Sequence, residues 1–127
     1  MLARGQRITR GDDYRRIVRS GQRVGGAVCI THAVLCSPDT PARFGFIITK
    51  AIGHAPQRNL IRRRMKAVAH QLVSEGFSGA ELVIRALPAS ATASFSAIHA
   101  DMSRAAARLQ AKQGDRAEAG SLEASAQ

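Results

Sequence analysis

The stretch "QRNLIRRRMK" at residues 57–66 places five positive charges in ten residues with no acid among them, and few folds can accommodate it. Pro56 precedes it, and proline suits the first turn of a helix, where its missing N–H is not needed. With Arg58 as origin and about 100° per residue, Ile61, Met65, Val68 and Leu72 fall together between about 280° and 340°. Arg58, Asn59, Arg62, Arg63 and Lys66 fall in the adjoining sector, up to about 140°. A helix therefore packs one edge down on an apolar stripe and presents a polar strip beside it. Arg64, near about 240°, lies off the strip. A solvated face normally mixes signs for i,i+4 pairing. This one has no acid, so its natural complement is a polyanion.

The remaining pattern supplies what the stripe packs against. Thr9 followed by Asp12 has the spacing of a capping box. Tyr14, Ile17 and Val18 then keep helical spacing up to Gly21, which predicts a first helix over 10–20. "VCITHAVLC" (28–36) and "RFGFIITK" (43–50) read as strands. The short polar link "SPDTPAR" suggests that they form an antiparallel hairpin. The helix after Pro56 ends in "SEGFSG", with Gly76 as its cap. "AELVIRALP" (80–88) reads as a third strand. Phe95, Ile98, Met102, Ala105 and Leu109 mark a last helix over 90–110. Residues 111–127 are small, polar and aperiodic, which predicts a disordered tail after a domain of residues 1–110. The expected fold is α+β: one α-β-β-α-β-α sandwich with a small mixed sheet.

Charge narrows the function. The formal net charge is +10, and residues 1–74 hold fourteen Lys and Arg against three acids, Asp12, Asp13 and Asp39. Residues 75–127 hold five against six, so the excess sits on the folded first part. Most of it is Arg, which grips phosphate with a planar fork and stacks on bases. Such a chain seeks nucleic acid, an anionic surface or acidic proteins. No apolar run is long enough to span a membrane, and the N-terminal residues lack the apolar core of a secretory signal. Cys29 and Cys36 read as buried or half-buried thiols in a reducing cytosol.

Catalytic machinery is not legible. Asp12 and Asp13 are most simply first-turn partners of a helix dipole. His32, His54, His70 and His99 are scattered, with no i,i+4 pair and no Cys-x-x-Cys. His54 adjoins the basic helix, as a phosphate contact or as an ordinary loop residue. No phosphate-binding glycine loop occurs. The expectation is a binder of nucleic acid or another polyanion, with no catalytic residue and no metal site of its own.

At "TKAIGHAPQRNLIRRRMK" the chain resembles the protein subunit of bacterial ribonuclease P. Lys50, Gly53, Ala55, Arg58, Asn59, Arg62, Arg63 and Lys66 match that family's run of basic and apolar positions. "RITRGDDYRRIVRSGQR" resembles its opening helix, and "RFGFIITK" and "GAELVIRALP" its flanking strands, so the likeness covers about residues 2–110. Ala51, Pro56, Gln57, Lys66 and Val18 depart from the commoner residues; the last stands where Phe is frequent. The resemblance implies a left-handed β-α-β crossover, an exception to the usual hand. It implies a cytoplasmic accessory subunit of a ribonucleoprotein endonuclease that matures the tRNA 5′ end. The catalytic groups and Mg²⁺ would be on the RNA, and the protein alone would be inactive. Lys50, Arg58, Asn59, Arg62, Arg63 and Lys66 would contact that RNA. Tyr14, Arg7 and Arg15 would line a cleft for the single-stranded 5′ leader of precursor tRNA. Two alternatives stand beside it: a structural or ribosomal-type RNA-binding protein, and a general nucleic-acid chaperone.

Overall fold

Ile61, Met65, Val68 and Leu72 are all buried in the computed structural model of the chain, together with Ala69, and α2 (Ala55–Ser74) packs along that edge. The structure describes residues 4–125, with side chains described from 5 to 115. Ahead of α2 come α1 (Gly11–Ser20), β1 (Gln22–Gly25), β2 (Cys29–Leu35) and β3 (Arg43–Ile47); after it come β4 (Ala80–Ala86) and α3 (Phe95–Ser125). The four strands form one mixed sheet in the order β1-β2-β4-β3. β4 is antiparallel to β2 and parallel to β3, so β3-α2-β4 is a parallel crossover unit.

Strand alternation divides the core in two. Phe44, Leu82, Ile84 and Ala33 join the α2 stripe and Ile98, Met102, Ala106 and Leu109 of α3 in the larger cluster. On the opposite face, Val83 meets Ile17 of α1 and Ile8, with Tyr14, Val34 and Ile47 packed around them. The sheet thus has α2 and α3 on one side and α1 on the other.

Four points of that reading need correction. The strands at 28–36 and 43–50 do not pair as a hairpin, because β4 lies between them. Their link can bridge that gap of roughly 10 Å, and it closes around the start of β4. The Cys36 N–H donates to the Gly79 carbonyl (2.7 Å), and the Gly79 N–H to the Thr40 carbonyl (2.7 Å). β1 was not foreseen; four residues are too few for alternation to declare itself. α1 starts with Arg10 as N-cap and no side-chain cap bond. Asp12 therefore sits one position too early for a box with Thr9, and its carboxylate is taken by Arg15. Phe95 is not a core position of α3: it is 42% exposed, and its ring lies 6.2 Å from that of His99.

 The two rings of that pair are tilted by 36°, at the exposed start of α3. Beyond residue 110, α3 continues to Ser125, and residues 126–127 of the expected tail lie outside the described residues. Ala, Lys and Gln at 111–113 are good helix formers, and the extension is docked. Lys112 donates to the Gln22 side chain (2.7 Å), and Gln113 to the carbonyls of Cys36 (3.1 Å) and Gly79 (3.0 Å).

Other expectations hold. Gly76 follows the last turn of α2 at φ +101°, the left-handed region that favours glycine. Pro56 is in the first turn of α2. Cys29 is buried and Cys36 half-buried. Among the described residues no helix is long and apolar enough to cross a membrane.

Candidate nucleic-acid interface

The basic strip begins just before α2. Lys50 opens a 3-10 turn, Lys50–Ile52, whose Ile52 is buried while Lys50 stays exposed. The Gln57 side chain accepts a hydrogen bond from the His54 N–H (3.3 Å) and steadies the first turn of α2. Beyond it Asn59 and Arg63 are exposed, and Arg58, Arg62 and Lys66 are half-buried. Arg62 donates to the Asn59 side-chain oxygen (3.2 Å). None of the strip's four cations on α2 has a carboxylate partner among the described residues, whereas Arg15, Arg16, Arg43 and Arg104 each have one. The Nε of Arg58 is buried without a hydrogen-bond partner among the described residues. Arg64, which the helical period sets apart, is spent on the fold: it donates to the Ala93 carbonyl at 2.9 Å.

A second surface lies between α1 and the sheet. Tyr14, Arg15, Val18, Arg19 and Ile47 line a groove of about 500 Å³. Its floor is apolar and its rim is cationic. The Tyr14 hydroxyl donates to the Ile8 carbonyl (3.2 Å) and accepts from the Phe46 N–H (3.2 Å). The ring is half-buried, so it braces the fold and also walls the groove. Val18 is 39% exposed, an apolar surface without an aromatic ring. Arg7 is exposed but does not line the groove; its backbone bridges to Phe44 at the β3 edge. Of the three residues expected in a cleft, Tyr14 and Arg15 are brought together and Arg7 stands apart.

α1 is held over the sheet by a charge network. Glu81 of β4 accepts from Arg16 (3.0 Å) and Arg43 (2.7 Å), and Asp13 approaches Arg16 (3.2 Å) and Arg43 (3.6 Å). Sequence reading gave no site role to Glu81, Ile47 and Arg85, and placed Arg19 only on the outer face of the first helix. The signal was present in "AELVIRA", where alternation puts Glu81, Val83 and Arg85 on one face.

Asp101 is 7% exposed and accepts from the N–H groups of Val28 (2.7 Å) and Cys29 (3.2 Å) and from Arg104 (2.9 Å). Burial pushes its carboxyl pKa up, but these donors outweigh burial and hold it below the ordinary carboxylate range. Burial, with Asp101 beside it, pushes the Cys29 thiol up to about 12, so it is not a nucleophile. No three His, Cys, Asp or Glu side chains converge as a metal site among the described residues. The carboxylates of Asp12, Asp13, Glu81 and Asp101 are engaged by arginines. That donor set does not fit a resident Mg²⁺.

The model of the family described as Ribonuclease P matches residues 2–110. A ribonuclease P protein component from Clavibacter michiganensis subsp. michiganensis is 43% identical over 108 residues, covering 85% of this chain and 96% of the relative. One from a Nocardioides species is 35% identical over 114 residues, covering 88% and 97%. Among solved structures, the RNase P protein of Thermotoga maritima aligns with a TM-score of 0.70 at 15% identity, covering 80% of this chain and 96% of that one. The Staphylococcus aureus RNase P protein aligns with a TM-score of 0.69 at 18% identity, covering 78% and 90%. These two likenesses establish a shared fold.

Proposed function

This chain belongs to the ribonuclease P protein family, a component of the ribonuclease that matures the tRNA 5′ end, and from that premise we propose that its RNA partner supplies the catalytic groups. The protein docks on the ribonuclease P RNA through Lys50, Arg58, Asn59, Arg62, Arg63 and Lys66. It holds the 5′ leader of precursor tRNA in the groove walled by Tyr14 and Arg15, while Arg7 stands outside that groove at the β3 edge. Mg²⁺ held by the RNA would supply charge stabilisation for hydrolysis of one phosphodiester. The reaction is placed in the cytoplasm, and the protein alone is inactive.

The observation that carries this reading is the strip's unpaired charge. Arg15, Arg16, Arg43 and Arg104 are matched with acids, whereas Arg58, Arg62, Arg63 and Lys66 form a row on α2 with no carboxylate partner among the described residues, open to a ligand. Arg and Asn in one row suit phosphates and base edges of a folded RNA at close range. An apolar groove with a cationic rim suits a single strand, because stacking and backbone contacts grip it with little sequence preference.

The test is cleavage of a precursor tRNA at low Mg²⁺ by bacterial ribonuclease P RNA, with and without the protein. An inert protein that restores correct 5′ cleavage by the RNA supports the reading. Binding to both RNAs with no change in rate overturns it in favour of a structural RNA-binding protein.

A further inference from the structure

The groove does not end at α1. Ile47, on its floor, is paired with Arg85 across the β3–β4 ladder, and Arg85 is paired with Ile30 across β4–β2. One step along β2 on the same face comes His32, paired with Arg23 of β1. Arg23 and Arg85 are exposed, and His32 is 8% exposed. The imidazole has no hydrogen-bond or ion-pair partner among the described residues. Its charged neighbours are Arg23 from β1 and Arg85 from β4. Glu81, opposite Val34 on the same face, is already engaged by Arg16 of α1 and Arg43 of β3. The other α1 cations on this side are Arg15 and Arg19, at the groove rim.

We propose that a single-stranded RNA leaving the groove lays a phosphate on Arg23 and Arg85, and that His32 takes up one proton from solvent as it binds. This rests on the reading that the groove holds an RNA strand. In the free protein, burial and then the two arginines push the His32 pKa below its ordinary value, so the ring is neutral at pH 7. A phosphate reverses the second cause, because it offsets both guanidinium charges and offers an acceptor to a ring N–H. Affinity therefore rises as the pH falls, with a limiting slope of about tenfold per pH unit for one proton.

The experiment measures binding of a labelled single-stranded RNA pentanucleotide to the full chain between pH 5.5 and 7.5, for wild type and His32→Gln. The His32 ring resonance is followed in wild type with and without the RNA, which needs no variant to fold. The expected result is tighter binding at low pH in wild type, a flat profile in His32→Gln, and a ring titration that moves up when RNA is added. A wild-type profile that is flat, or a slope that survives in His32→Gln, overturns the proton coupling and leaves the groove reading standing. No binding at any pH overturns the groove reading and the coupling with it.

Discussion

Tyr14 lies so close to the backbone of Gly45 that a Cβ at that position would fall 2.5 Å from the ring carbon Cζ. The close approach lets one hydroxyl join the segment before α1 to the edge strand β3, through Ile8 and Phe46. Two substitutions separate bracing from groove lining. Tyr14→Phe keeps the ring and loses both hydrogen bonds, so urea unfolding should show a loss of about 1–2 kcal/mol, with single-strand affinity nearly unchanged. Gly45→Ala pushes the ring away at a cost of about 1–3 kcal/mol and should weaken both stability and single-strand binding. Equal effects of the two variants on RNA affinity would show that the ring does not wall the binding surface.

The strip on α2 makes a different prediction for neighbouring arginines. Arg62→Ala and Arg63→Ala should each reduce the salt slope of binding to the ribonuclease P RNA by about 1, with stability changed by no more than about 0.5 kcal/mol. Arg64→Ala removes the donor to the Ala93 carbonyl. It should lower stability by about 1–2 kcal/mol and leave the slope alone. The check is a salt titration of affinity beside a urea titration of each variant. A common slope change in all three would remove the division that the helical period makes.

That division was legible because α2 is long and strongly periodic, so Ile61, Met65, Val68 and Leu72 declared the buried edge without any knowledge of the sheet. The sheet itself was less legible. Pairing between strands far apart in sequence leaves no local mark, and β4 enters between β2 and β3 through bonds that Gly79 makes to Cys36 and Thr40. At the groove, Tyr14 and Arg15 were visible on the first helix, but Ile47 and Arg19 become neighbours only when α1 crosses the sheet. The docked end of α3 was hidden for a related reason. Gln113 carries no hydrophobic signal, and its two acceptors are backbone carbonyls from other parts of the chain.

Asp101 ties the turn before β2 to α3, and its titration gives stability a defined acid limb. Its folded pKa lies below the unfolded value, so its contribution is present above the ordinary carboxylate pKa and is lost as pH falls through the folded one. His32 acts in a separate window. Its folded pKa is also depressed, and for a base this lowers stability as pH drops below the ordinary value of about 6.5. Asp101→Asn should cost about 1–3 kcal/mol at pH 7 and flatten the limb below about pH 4. Urea midpoints from pH 2.5 to 7.5 would check this; an unchanged acid limb in the variant would remove Asp101 as its source.

Glu81 holds Arg16 and Arg43 at once, with its side chain only 12% exposed, and so fixes where α1 stands over the sheet. Removing one partner of a sheltered pair leaves charge without compensation, which costs more than the pair contributes net. Glu81→Gln should therefore destabilise the protein by about 1–3 kcal/mol. Arg16 itself is exposed and also reaches Asp13, so Arg16→Ala should cost less. In a double-mutant cycle the two sites should couple by at least about 0.5 kcal/mol. Because α1 supplies Tyr14, Arg15, Val18 and Arg19 to the groove, Glu81→Gln should also weaken single-strand binding, while docking to the ribonuclease P RNA through α2 keeps its affinity and salt slope. Additive stability losses with unaltered single-strand binding would show that α1 is positioned by its Ile17 contact and not by the charge network.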